Sequence, residues 1–493
     1  MAITAGSSLN SATASQQQTL ASNYIDFNQD MGWAQQYLPD LMEKEAEVFG
    51  PRTTSGFLSQ VGAEESMTAD QVVWSEQSRL HLSYVCTVDA DGDTNGTLTI
   101  TTDIDGNAIT TTHGIRVNDV VLIAQAGVVV KALVVETPDS AVVTVEPYAT
   151  AALSTLSDGT ATVLVIGSEY GKGQSYTDHT GTYKTESRGA NTPTFKTFDN
   201  KPIIMKDYYE ISGSDVSQIG WVEVTSEDGG SGYMWYLKAE GETRARFTDY
   251  LEMSMLEAEK SAAASIIGFG ADGQVRGSAD AGADGAGTEG LFAAIEARGN
   301  LTSGVTGVNA ATDLAEFDAI LAEFDSQGAI EENMMFVNRA TSLAVDDMLA
   351  SMNSYGAGGT SFGVFNYSED MALNLGFSGF RRGSYDFYKS DFRYLNDKAT
   401  RGGINSRATT AAIRGVIVPA GTSTVYDQSL GKNLKRPFLH VRYRASQTDD
   451  RRLKTWVTGS VGAATSALDA MQIHMLSERC LVTQGANNFM LMK

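Results

Sequence analysis

The sequence predicts an α+β protein that carries an inserted small β-barrel or sandwich module. Three observations lead there. Hydrophobic residues make up 42% and charged residues 19% of the 493 positions, enough to build a sizeable core and too apolar for a disordered polymer. Short β-branched runs crowd the stretch from Tyr84 to Ile166, while a single long helical repeat runs from about Tyr233 to Ile267. Beyond it, helix and strand patterns alternate.

Residues 1–58 are read as an arm. The opening is rich in Ser, Ala, Thr, Gln and Asn, and buries too little apolar surface to offset its ordering entropy, so alone it is expected to be mobile. Embedded apolar residues (Leu20, Tyr24, Ile25, Phe27, then Trp33, Tyr37 and Leu38) are anchors for a neighbouring surface. Residues 59–83 and 169–232 form an extended region on either side of the β-rich module at 84–168. In the module, Val117–Ile123, Val128–Val135 and Ala141–Val145 are strands separated by turn residues. Further extended segments fall around Thr194–Tyr209.

Residues 233–300 hold the long helix. Leu237, Gly241, Ala245, Thr248, Leu251, Met255, Ala258 and Ala262 recur every three or four residues as a narrow stripe. Glu240 with Arg244 and Glu242 with Arg246 stand four apart in the favourable order. Gly268–Gly290 lacks a hydrophobic period and is expected to be a flexible loop. Residues 301–375 form an α+β domain: an amphipathic helix through Asp313, Leu314, Phe317, Ile320, Leu321 and Phe324, a buried strand at Met334–Val337, and a helix capped by Asn338. Residues 376–493 return as strands at Tyr385–Leu395, Ala411–Val418, Pro437–Arg444 and Gln472–Thr483.

The net charge of −24 is unevenly spread: residues 376–493 hold 18 Lys+Arg against 8 Asp+Glu, so the acids lie in front. Overall acidity argues against a dedicated nucleic-acid binder. The basic back either attracts acidic fronts of other subunits or is paired within one subunit. No stretch approaches the roughly 20 apolar residues of a membrane span, and no secretion signal is visible at the start. Cys86 and Cys480 match no metal or redox spacing and read as buried hydrophobes in a reducing cytoplasm.

The sharpest local motif is the acidic run Asp89, Asp91, Asp93 and Asn95, followed by Gly96. Carboxylates at alternate positions are candidate calcium ligands. The twelfth position counted from Asp91 is Thr102, where a bidentate Glu is needed, which favours an acidic turn reversing the chain at Asn95-Gly96. His81, His113, His179, His440 and His474 occur singly, without zinc spacing. Gly459–Gly462 is not a nucleophile elbow, and Gly167–Gly173 is not a phosphate loop. Asp449, Asp450, Arg451 and Arg452 read as a local ion-pair cluster. No catalytic residue and no cofactor is assigned; the chain is expected not to be an enzyme.

The order of parts resembles the Hong Kong 97-type fold of tailed-phage major capsid proteins: N-terminal arm, extended loop, peripheral domain with spine helix, axial domain, returning strands. Glu47–Leu58 looks like an arm entering the extended loop, and Phe336–Thr341 like the strand-to-helix entry of an axial domain. Phe377–Arg382 and Arg436–Arg444 resemble strings in capsid proteins of crAss-like podoviruses. The resemblance implies self-assembly, as hexamers and pentamers, into an icosahedral head in the virion enclosing double-stranded DNA without sequence-specific binding and without a membrane. It implies synthesis in the host bacterial cytoplasm, a separate scaffolding protein, a portal and decoration proteins. The module at 84–168 departs from the family pattern as an insertion. The alternative is a calcium-binding secreted or surface-layer β-rich adhesin using the Asp89–Asn95 loop, and a third reading is a hydrolase with a dispersed site.

Overall fold

Period-2 and period-3.6 hydrophobic patterns alternate along the chain, and each finds a distant partner. The computed structural model describes residues 53, 56–61, 63–76, 79–89, 96–109, 113–137, 141–149, 153–173, 196–216, 224–225, 231–232, 235–261, 267–269, 275–277, 286–352, 379–408, 410–420, 422–427, 432–460 and 464–493. They are mixed α+β, with many strands and few helices. The chain divides into two units, Ser75–Phe198 and the remainder on both sides of it.

The larger unit is built on two sheets. The five-stranded sheet runs Ala63–Met67, Leu439–Arg444, Ala470–Thr483, Ile203–Ser212, with Lys454–Gly459 also paired to the long strand Ala470–Thr483. Ala63–Met67 lies parallel to Leu439–Arg444, with Ala63 opposite His440 and Met67 opposite Arg444. The six-stranded sheet runs Asn300–Thr302, Met490–Met492, Gly415–Pro419, Glu332–Val337, Tyr385–Asp391, Gly379–Arg382. Gly415–Pro419 is buried at every residue, as a central strand covered on both faces must be. One cover is Phe317, Ile320 and Phe324 of the helix Ala310–Gln327 with Val345, Met348 and Leu349 of the helix Arg339–Met352. The other is a core shared with the five-stranded sheet, where Val416, Val418 and Leu491 meet Leu439, Val441 and Leu481.

Local signals place the two helices beside this sheet. The Asn309 side chain accepts from the Thr312 N–H at 3.0 Å, and Gly328 ends that helix at φ 65°. Asn338 accepts from the Thr341 N–H at 2.8 Å, which caps the next helix. The strand before it, Glu332–Val337, contains the predicted Met334–Val337 run.

The long helix is shorter than expected, and its buried face matches the expected stripe only in its C-terminal half. It spans Trp235–Glu257, 23 residues, or about 35 Å at 1.5 Å per residue. It stops because the next backbone groups are taken elsewhere: the Ala258 carbonyl accepts from the Gly290 N–H and the Ser261 N–H bonds the Ala286 carbonyl. Its buried residues are Thr243, Phe247, Leu251, Glu252, Met255 and Leu256; Leu251 and Met255 belong to the expected stripe, whereas Gly241 of that stripe is exposed and Ala245 and Thr248 are half-buried. Phe247 and Leu251 pack on Met475 and Met205 of the five-stranded sheet. The large side chain at 247 decides the face, and the small residues beside it turn away.

Two further expectations are corrected. Within the Gly268–Gly290 stretch, Ile267–Phe269 pairs with Val275–Gly277 as a short hairpin. The strand from Tyr385 ends at Asp391, where the Phe392 N–H bonds the Val337 carbonyl and a short helix, Arg393–Asn396, begins.

The smaller unit contains a closed barrel with strand order Ser83–Asp89, Gly96–Asp103, Val142–Pro147, Val128–Glu136, Asp119–Gln125, Gly159–Ser168. Burial alternates along each strand, and Val88, Leu98, Ile123, Val134, Val145 and Val163 fill the interior. The tight turn between Asp119–Gln125 and Val128–Glu136 places Ala126 at φ 47° and Gly127 at φ 86°, the left-handed geometry such hairpins need.

Candidate functional site

The site that gathers most chemistry is a charged seam on the five-stranded sheet, where Ala63–Met67 meets Leu439–Arg444. Parallel pairing of Ala63–Met67 with Leu439–Arg444 sets acidic and basic residues side by side. Glu65 pairs with Arg442 at 2.7 Å, and Glu64 meets Arg452 and, at 3.9 Å, Arg479. Arg444 joins Asp70 and, at 3.3 Å, Glu478, which also receives Arg451 at 2.5 Å. Burial holds the Arg479 guanidinium below its usual range, against the pull of Glu64. The guanidinium groups of Arg451 and Arg452 thus pair with Glu478 and Glu64, which corrects the local ion-pair reading, while the Arg452 N–H still donates to the Asp450 carboxylate at 2.9 Å. Asp449 pairs with Lys454 at 2.6 Å.

The basic back is met by the acidic front elsewhere in the same chain. Arg401 bonds Glu257 at 2.8 Å, Arg382 bonds Asp318 at 2.5 Å, Lys493 reaches Glu296 at 2.5 Å, and Lys389 pairs with Asp346 with both side chains buried. Of the two readings of the charge asymmetry, pairing within one chain is the one these contacts realise.

Close to the seam, the mid-helix carboxylate Glu252 is buried and accepts the N–H groups of Gly56 at 2.7 Å and Leu58 at 3.0 Å. Phe57 between them packs edge-on against Phe336, centroids 4.6 Å apart. Burial pushes the Glu252 carboxyl above its ordinary range, Asp249 adds to this, and the backbone N–H groups oppose it. This clamp fastens the chain where the predicted arm (1–58) ends; residues 1–52 lie outside the described residues.

The sheet face turned away from the long helix carries an exposed aromatic row. Tyr208 lies opposite His474 and His474 opposite Trp456, with ring centroids 5.9 and 5.2 Å apart. The His474 Nε2 is 2.7 Å from the Thr458 hydroxyl. Sequence reasoning missed this row, the seam and Glu252, because each depends on strands or turns far apart in the chain.

The sequence-predicted calcium ligands are not brought together by anything described. Asp89 is exposed at the end of its strand; Asp91, Asp93 and Asn95 lie outside the described residues. Among the described residues, no group of three His, Cys, Asp or Glu side chains is placed to hold a metal ion. His440 is buried with its Nδ1 at 3.3 Å from the Pro437 carbonyl, His81 is exposed, and His179 lies outside the described residues. Both cysteines are fully buried, and burial pushes the thiols up to about 11 at Cys86 and about 12 at Cys480.

A cleft of about 400 Å³ is lined by Glu257, Glu259, Glu296, Phe292, Arg401 and Ile413. Two of its carboxylates are tied: Glu257 accepts from Arg401 and from the Tyr394 hydroxyl at 2.9 Å, and Glu296 is held by Lys493. Burial and Glu257 hold the Tyr394 phenol above its usual range. These are neutralised structural pairs. No described helix is long and apolar enough to cross a membrane.

No family model matches the sequence, and no curated protein does. Among solved structures, the chain is similar to one from Microbacterium phage Oxtober96, with 9% identity, 92% of this chain and 95% of that chain covered, and a TM-score of 0.36. It is similar to the capsid of a native GTA particle, with 10% identity, coverages of 93% and 95%, and a TM-score of 0.36. A third is the mature capsid of bacteriophage PhiM1, with 11% identity, coverages of 64% and 78%, and a TM-score of 0.28.

Proposed function

We propose that this chain is the major capsid protein of a tailed bacteriophage, of the Hong Kong 97 type, and that it assembles into an icosahedral head around double-stranded DNA. The carrying observation is the order of parts: a clamped arm root, an excursion holding a barrel, a 23-residue helix on a sheet, an α+β domain, and strands returning to both sheets. The work of such a protein is assembly rather than catalysis, with copies of itself as hexamers and pentamers. A separate scaffolding protein, a portal and decoration proteins are its further partners, and a crAss-like podovirus is its source group. Intrachain pairing of the basic residues at 376–493 supports a container whose wall does not hold DNA tightly.

The test is to express the chain and image it by negative-stain electron microscopy, with and without added calcium. Closed shells, sheets, or rings of hexamers and pentamers are expected. A calcium-dependent monomer that binds cells overturns the reading and promotes the adhesin built on Asp89, Asp91, Asp93 and Asn95.

A further inference from the structure

The five-stranded sheet ends on Ile203–Ser212. At ten residues it is the longest edge strand of the larger unit's two sheets among the described residues. Its register with Ala470–Thr483 runs from Ile203 opposite Arg479 to Ser212 opposite Ala470 without a bulge, and it holds no proline. An edge this long and regular is a template for another strand, and proteins usually blunt such edges. Backbone direction fixes which residues face outward. The Gly213 N–H bonds the Asp469 carbonyl, so odd-numbered residues point their backbone groups into the sheet. Even-numbered residues point theirs away: the Tyr208 N–H is taken up by the Asp207 carboxylate at 2.9 Å instead of a ladder carbonyl. The side chains of the same residues, Ile204, Lys206, Tyr208, Glu210 and Ser212, are exposed on the sheet face that carries the aromatic row.

We propose that this edge pairs antiparallel with the same edge of a second copy, about a two-fold axis at Tyr208; the contact goes beyond the shell reading and does not rest on it. Phase and charge together select the partner. Outward-facing residues must lie opposite outward-facing ones, which near the middle of the strand leaves axes at residues 207, 208 and 209. With the axis at 208, Lys206 of each copy meets Glu210 of the other, so both charges are matched twice, as two-fold symmetry requires. With the axis at 207, Lys206 meets Tyr208 and Glu210 meets Ile204; at 209, Lys206 meets Ser212 and Glu210 meets Tyr208. A lysine on an edge deters an uncharged strand. Opposite Glu210 it admits another copy of this one. Pairing closes about ten backbone hydrogen bonds, with the Tyr208 carbonyl of one copy replacing Asp207 as acceptor for the Tyr208 N–H of the other. The row Trp456, His474 and Tyr208 then runs on through the same three residues of the second copy.

The test uses the full-length chain carrying Ile204→Cys and Ser212→Cys together, with each single substitution as control. An axis at Tyr208 sets these two positions opposite each other in the two copies. Directly opposed residues of such a pair have Cα atoms about 5.5 Å apart, within reach of a disulfide. Within one extended strand the two cannot meet, and the native thiols do not compete, since both are fully buried. After mild oxidation, disulfide-linked dimers at least tenfold more abundant with the double variant than with either single one are expected. Adding Lys206→Glu removes the excess, and adding Glu210→Lys to that chain brings it back. Dimers no more abundant than in the single variants overturn the contact, as happens if another segment of the same chain covers the edge; shells in the same sample then leave the shell reading standing. An excess that Lys206→Glu leaves unchanged overturns the pairing of Lys206 with Glu210 that selects the second copy.

Discussion

Glu252 is a carboxylate in a place that favours its neutral form, and its linkage has a definite sign. With its pKa raised by burial, the folded protein binds this proton more tightly than the unfolded chain. Its contribution to stability therefore declines as pH rises from the unfolded value through the raised folded one. Arg479, near enough to feel Glu252, and Asp249 are the charged groups acting with it. In urea melts, Glu252→Gln is expected to gain on the parent protein as pH rises from the unfolded carboxyl range through the raised folded value; a gap independent of pH refutes this. Glu252→Ala costs about 1–3 kcal/mol, because the Leu58 N–H is left buried without an acceptor. The cysteines give a simpler test. With thiols at about 11 and about 12, Cys86 and Cys480 should resist a thiol-titrating reagent at pH 8 in the native protein and both react in denaturant.

At the scale of elements, caps and turns decide where helices and hairpins begin and end. Asn338→Ala is expected to cost about 1 kcal/mol by leaving the Thr341 N–H without its acceptor, while Asn338→Asp retains most of it. Gly459 closes the hairpin of Lys454–Gly459 with Ala470–Thr483 at φ 129°, and a Cβ there would lie 1.8 Å from the Ala470 carbonyl oxygen. Gly459→Ala should lower stability by at least roughly 1–3 kcal/mol in equilibrium unfolding. Elements with such local causes were legible in the sequence: the Asn338 cap, the Met334–Val337 strand, and the Val128–Val135 run. The helix end at Glu257 was not, since nothing near residue 258 stops it; Ala286 and Gly290 do.

For the whole molecule, the division into two units predicts two transitions in calorimetry. Leu98, fully buried in the barrel, and Phe317, fully buried under the six-stranded sheet, report on them separately. Leu98→Ala should shift one transition and Phe317→Ala the other, each by about 3–5 kcal/mol. The charged seam shows what the sequence withheld. Its residue types were in view, and the excess of arginine after residue 376 was plain, but the pairing of Glu64 and Glu65 with Arg452 and Arg442 needs strands some 375 positions apart. Side-chain pairs of this separation leave no periodic trace, whereas the barrel strands do.

The strand order of the two sheets also sets a schedule for synthesis. All six barrel strands lie between residues 83 and 168, so the barrel can close as soon as that stretch clears the ribosome. Both sheets of the larger unit wait for Ala470–Thr483 and Met490–Met492, made some 300 residues later. At about 5–20 residues per second that is a delay on the order of 15–60 s. For most of it, Ala63–Met67 stands unpaired on the nascent chain, waiting for Leu439–Arg444 and exposed to chaperones and to its own copies on crowded polysomes.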